Sequence, residues 1–224
     1  MPGPGPIQQV VQRMERISAD LPAADGVRRF NELYLAVTRA VLREARDGEF
    51  EDPAFLTRLD VVFADLYFAA VDAPRPGHAW RPLFDARRRR HVASLQFALA
   101  GMNAHINHDL PVALVAAMLE HGIEPDRGSP QHRDFRRVDA ILARVEDEIK
   151  EQFLEGLVDV ADDALGRIDD VLAMWSVGRA RDAAWTNAEA LWALRRVPPV
   201  RTAFLLSLSR FVGLGSRGLL VPTL

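Results

Sequence analysis

The sequence predicts an all-α fold, a single-domain bundle of about seven to nine helices with a proline break in a buried central one. Three observations carry this reading. Apolar residues recur three and four positions apart through most of the chain, the spacing of a buried helical stripe. Prolines and glycines fall mainly between these runs, where helices end. No stretch alternates apolar and polar residues with the period of two that a half-buried strand needs, and no internal repeat is present.

The elements follow in order. Residues 1–6, Met-Pro-Gly-Pro-Gly-Pro, read as a flexible tail, and Ile7 to Ala19 as a first helix. Phe30, Leu33, Tyr34, Val37 and Val41 share a face of a second, which ends near Asp47-Gly48. Asp52-Pro53 reads as an N-cap followed by proline at the first helical position. The helix it opens carries Leu56, Leu59, Phe63, Tyr67 and Ala70, and stops before the Pro74-Arg-Pro76-Gly77 turn. A long apolar run from Trp80 to His121 is broken or kinked at Pro111. Glu124 to Gln131 is a loop. Arg133 to Leu157 and two pieces between Asp159 and Leu194 are amphipathic. After Pro198-Pro199 a last helix spans Arg201 to Val212. One domain therefore covers 7–212, with a glycine-rich tail over 213–224.

Composition sets bounds on function. The 224 residues suffice for one well-buried core. A net charge of -3 and a pI near 6.1 leave no basic footprint for a nucleic acid partner. With no cysteine, disulfides, thiolate metal sites and cysteine nucleophiles are excluded. The start has no signal-peptide pattern, and no apolar run approaches the ~20 residues that span a bilayer. The expected location is the cytoplasm.

Function is sought in Asn103-Ala-His-Ile-Asn-His-Asp-Leu-Pro111, which places two imidazoles, a carboxylate and two amides inside an apolar helical run. Burying such groups costs several kcal/mol unless each is paired. Pro111 lacks the amide hydrogen that would bond the Asn107 carbonyl, and its ring clashes with that carbonyl. The helix therefore kinks or restarts between Asn107 and Pro111, with Asp109 placed to cap the restart. If it stays continuous, His105 and Asp109 share a face one turn apart. Gly101, one turn earlier, allows another helix or a ligand to approach closely.

Asn103-Ala-His-Ile-Asn-x-Asp-Leu-Pro111 resembles the signature of an uncharacterised domain family of bacteria. Asp52-Pro53, Phe63-Ala-x-x-Tyr67 and Arg181-x-x-Ala-Trp185 extend that resemblance over roughly Phe30 to Leu194. It implies a helical fold with a polar centre and supplies no activity. The His-x-x-x-Asp-x-Pro order is also loosely similar to a segment of helical zinc-dependent phospholipase C and nuclease proteins.

Four readings of the centre stand open. In the first, His105, Asp109 and His108 bind a divalent metal such as zinc, completed from Asp60, Asp65, His78, Glu120 or His121. In the second, His108-Asp109 is the doublet of a helical phosphohydrolase. In the third, His105, Asp109 and Asn107 form a metal-free acid–base centre, since histidine suits proton transfer near neutral pH. In the fourth, the same groups form a hydrogen-bond network that specifies the fold and does no chemistry.

Outside the motif, Arg87 to Arg90 reads as a solvated helical face, and Trp80, Trp175, Trp185 and Trp192 as core. Arg181 lies one turn before Trp185, so the two can form a cation–π pair or a pocket wall. Tyr67 can line the same pocket, and Asn103 can orient a carbonyl or hydroxyl. The sequence thus predicts a small-molecule enzyme with catalytic His105, Asn107 and Asp109 and with substrate contacts from Asn103, Tyr67, Arg181 and Trp185. Its substrate is apolar or aromatic, and its chemistry is hydrolase-like or another acid–base reaction. The alternative is a non-catalytic binding or scaffold protein.

Overall fold

The computed structural model describes residues 5–46, 48–155 and 176–222. The helices among them are α1 (Pro6–Asp20), α2 (Gly26–Arg46), α3 (Pro53–Asp72), α4 (Arg81–Ala86), α5 (Ser94–Ala104), α6 (Leu110–His121), α7 (Pro130–Glu155), α8 (Val177–Ala193) and α9 (Pro198–Leu219). A π-helical turn, His105–Asp109, joins α5 to α6, and a 3-10 turn, Leu194–Arg196, joins α8 to α9. No strand occurs among the described residues, so the fold is all-α. Residues 156–175 of the predicted amphipathic stretch, Trp175 included, lie outside the described residues.

The α5–π–α6 rod is the axis of the bundle. Helices α2 and α9 pack along α5, and α3 and α8 along α6. Burial divides between two apolar clusters. One surrounds α6 and includes Leu110, Leu114, Phe55, Phe135 and Trp185; the other surrounds α5 and includes Phe97, Phe30, Tyr67 and Trp80. Phe63 and Met102 pack against both. The polar motif therefore sits at the junction of the two clusters.

Local chemistry explains several boundaries. Asp52 caps α3 as its position before Pro53 predicts, accepting from the Phe55 amide at 3.0 Å. The loop before it is held by buried Asp134, which accepts from the amides of Glu51 and Asp52 at 3.0 and 2.6 Å. Gly122 ends α6 in the left-handed conformation, φ 66°, which glycine adopts without steric cost.

Three expectations are corrected. The run from Trp80 to His121 is not one helix, because residues 87–93 form a turn between α4 and α5. Arg87 makes this turn: its carbonyl accepts from the Gly26 amide at 2.8 Å and its guanidinium pairs with buried Asp25 at 2.8 Å. Only Arg88 to Arg90 are solvated, and they do not lie on a helix. At Pro111 the helix does not break off and restart. Instead the Leu110 amide bonds the His105 carbonyl five residues back, and this wider turn carries the chain past the proline.

The third correction concerns the C-terminus. Helix α9 begins at Pro198, at a position that suits proline, and continues through the glycine-rich segment to Leu219. Glycine is required there by packing rather than by a turn. A Cβ on Gly213 would collide with the backbone carbonyl of His78, and Gly215 lies against the Asn103 amide. Gly218, on the same helix, faces open space. Gly213→Ala should therefore cost about 1–3 kcal/mol of overpacking. Gly218→Ala should be neutral or stabilise by up to about 1 kcal/mol through helix propensity. Urea denaturation of the two variants checks this; equal effects would contradict the packing role of Gly213.

Candidate functional site

The π turn gathers three donors onto one carboxylate. Asp109, 3 % exposed, accepts from His105 Nδ1 at 3.1 Å, from Trp80 Nε1 at 2.9 Å and from His108 Nδ1 at 2.7 Å. Burial pushes the Asp109 carboxyl up, but the bonds from His105 and His108 outweigh it and hold it below the ordinary value. Asp109 is thus an ionised, fully engaged acceptor. It makes no helix cap, which corrects the capping expectation: its carboxylate is turned toward the two imidazoles and the indole instead. Breaking such a buried set by removing one partner typically costs about 3–5 kcal/mol.

His105 is 2 % exposed and sandwiched among rings. Phe63 of α3 stacks on it at 3.5 Å with 5° between planes, and Tyr34 of α2 meets it edge-on at 4.5 Å. Burial holds its pKa below the ordinary imidazole value despite the attraction of Asp109. The ring is therefore neutral. An ionised carboxylate only accepts, so Nδ1 carries the proton and Nε2 presents a lone pair. That Nε2 is buried and has no partner.

His105 lines a cavity of about 90 Å³ whose other walls include Tyr34, Asp60, Phe63, Met102 and Arg181. Most of the lining is apolar, from Phe30, Leu33, Val37 and Leu56 among others. Two further lining residues carry buried polar atoms without a well-formed hydrogen bond, Asp60 Oδ2 and the Tyr34 hydroxyl, the latter beside Thr38. Burial raises the Tyr34 pKa, as do the charges of Asp60 and Asp109, so its hydroxyl stays protonated.

The remaining predicted residues are placed elsewhere or held by other partners. Asn103 donates to the Val212 carbonyl and to Ser216 Oγ, both at 2.9 Å, which docks α9 on α5. Asn107 donates to Asn103 Oδ1 at 3.0 Å and so supports that docking. Tyr67 is fully buried and its hydroxyl donates to Asn31 at 3.1 Å. Trp185 is fully buried and donates to Glu189 at 3.0 Å. The expected Arg181–Trp185 stack is not formed. Arg181 lies over the Phe135 ring at 4.0 Å instead, because Asp139 Oδ1 at 2.6 Å and the Phe135 carbonyl at 2.8 Å hold its guanidinium on α7. Of the four predicted substrate contacts, only Arg181 lines the cavity.

No group of three or more His, Asp or Glu among the described residues is arranged to hold a metal ion. His105 and His108 both turn Nδ1 to Asp109, so these three residues satisfy one another rather than converging on a fourth point. Of the residues considered as further ligands, Glu120 pairs with Arg58 and His121 with the Ala117 carbonyl. No helix among the described residues is long and apolar enough to cross a membrane.

Asp60 is the cavity residue that the motif does not announce. It is a half-buried side chain whose Oδ2 is shut off from solvent. Burial pushes its carboxyl up from 3.8 to about 7, against the opposing charge of Arg181. A carboxyl raised on folding supports the fold fully below its unfolded value, and that support is lost as pH rises from 3.8 to about 7. Asp60→Asn should therefore gain stability over the native protein through that window and hold the gain above it. Melting temperatures of both proteins from about pH 4 to about pH 8 check this, and parallel curves would contradict it.

Comparison with curated proteins and with solved structures finds no match. The model of a family of unknown function, DUF5995, matches residues 7–222, nearly the whole chain, and the protein belongs to that family.

Proposed function

We propose that the protein is a small-molecule enzyme that works by acid–base catalysis from the His105–Asp109 pair. The observation that carries this reading is the buried, unpartnered Nε2 of a neutral His105 in the wall of an apolar cavity. A structural histidine in such a place normally has both nitrogens satisfied, because an unpaired buried polar atom costs about 1–3 kcal/mol. Asp109 orients the ring and favours the imidazolium that forms when Nε2 takes a proton. Trp80 and His108 hold Asp109 in turn. Asn103 and Asn107 serve as positioning residues, through the docking of α9. The lining supports an apolar or aromatic substrate, and the donor set supports the metal-free version of the chemistry.

His105→Gln keeps much of the ring's volume and a donor for Asp109. It should leave the urea midpoint close to that of the native protein. It should also lower turnover of a panel of uncharged aromatic esters and cyclic ketones by roughly 10²–10⁴-fold. Stability lower by a few kcal/mol with unchanged turnover would assign the motif to the scaffold reading.

A further inference from the structure

Three residues that line the cavity each carry a buried polar atom without a well-formed hydrogen bond, and the atoms differ in kind. His105 Nε2 can only accept, the Tyr34 hydroxyl can donate, and Asp60 Oδ2 belongs to a carboxyl with no hydrogen bond or ion pair to any described residue. Asp60 stands one helical turn before Phe63, on the same face of α3. Phe63 lies flat on the His105 ring at 3.5 Å, and Asp60, Phe63 and His105 all line the cavity. Tyr34, edge-on to His105 at 4.5 Å, completes the group.

We infer that Asp60 is the second catalytic residue of this cavity, the proton donor that complements His105, and that the substrate is an uncharged, ring-sized carbonyl compound undergoing carbonyl–enol proton relocation. This rests on the acid–base reading of His105. The size limit follows from a cavity of about 90 Å³, smaller than the roughly 150 Å³ of a cavity that takes up benzene, so at most one small ring enters it. The absence of charge follows from Arg181, the cation in the wall, whose guanidinium is already held by Asp139 and the Phe135 carbonyl. An anionic ligand would be buried without a free counter-ion, at high cost, and a protonated Asp60 offers a neutral donor rather than a charge.

The step balances without any co-reactant. His105 Nε2 takes the proton from the carbon beside the carbonyl, and that C–H electron pair becomes the new C=C bond. The carbonyl π pair moves to oxygen, which takes its proton from the Asp60 carboxyl while the Tyr34 hydroxyl donates a hydrogen bond. The imidazolium is then stabilised by Asp109, and the Asp60 carboxylate faces it across the product. Return of a proton to the same or a conjugated carbon, and of the enol proton to Asp60, completes an exchange or an isomerisation. Asp60's elevated proton affinity agrees with a donor that is protonated near neutral pH.

The probe is cyclohexanone in D2O with the full-length protein. NMR follows both its binding, by protein chemical shifts, and deuterium exchange at the carbons beside the carbonyl. The native protein should bind it saturably and accelerate exchange. His105→Gln should abolish the acceleration, and Asp60→Asn, which keeps a donor to the oxygen, should bind cyclohexanone but exchange roughly a hundredfold more slowly. Asp60→Leu should bind benzene as well as the native protein does and lose cyclohexanone. Its melting temperature should rise, since it removes a carboxyl whose Oδ2 is buried without a partner. Exchange by Asp60→Asn at the native rate, with His105→Gln inactive, would overturn the role of Asp60 and leave the acid–base reading standing. Neither binding nor exchange by the native protein would overturn both.

Discussion

The structure turns on the buried carboxylate of Asp109. A charge this deep is tolerable only when its lone pairs are engaged, and here an indole and two imidazoles engage them. Each donor arrives from a defined place. Trp80 comes from the segment leading into α4, while His105 and His108 flank the carboxylate on its own helix. The π turn belongs to the same arrangement. It accommodates Pro111 without interrupting the helical run, and it brings buried His105 and half-buried His108 to the Asp109 carboxylate.

The surrounding helices are held to this centre by close backbone approach. A Cβ on Gly101 would collide with the Phe30 ring, and one on Gly213 with the His78 carbonyl. The first contact brings α2, and with it Tyr34, against the His105 ring. The second brings α9 against the segment that carries Trp80. From α3, Phe63 supplies the flat face on which His105 rests. The ring is thereby fixed in orientation by a carboxylate at one nitrogen and by aromatic faces around it. Its other nitrogen is left without a partner in a mostly apolar cavity, and such preorganised groups suit proton transfer.

The sequence made the helical class and most elements legible because helices are local. Asp52-Pro53 marks the start of α3 through capping chemistry that involves only neighbouring residues. The polar motif stood out because charge and amides inside an apolar run demand partners, and His105 and Asp109 are indeed bonded to each other. Asp60 carries the same signal, an acid set among Leu59, Val61, Val62 and Phe63, but a single charge at a helix edge has no periodic signature. Arg181 was legible as a cation for an aromatic ring or a pocket wall, and its partner was not. Phe135 and Asp139 lie over forty residues away, and only packing of α7 against α8 selects them over Trp185.

What the sequence by itself determined is the all-α class, the residues that need partners, and the position where a proline must be accommodated. These depend on spacing and on the chemistry of single residues. Tertiary structure decided the rest. It made the proline site a π turn rather than a break, because Leu110 finds the His105 carbonyl within a rod packed on several sides. It extended α9 through three glycines, because contacts with His78 and Asn103 replace the turn that isolated glycines favour. It also turned Asn103, Tyr67 and Trp185 into packing residues while assembling Tyr34, Asp60 and His105 around one cavity. Those pairings join atoms from helices distant in sequence, and no local pattern encodes which distant helix will come to rest against which.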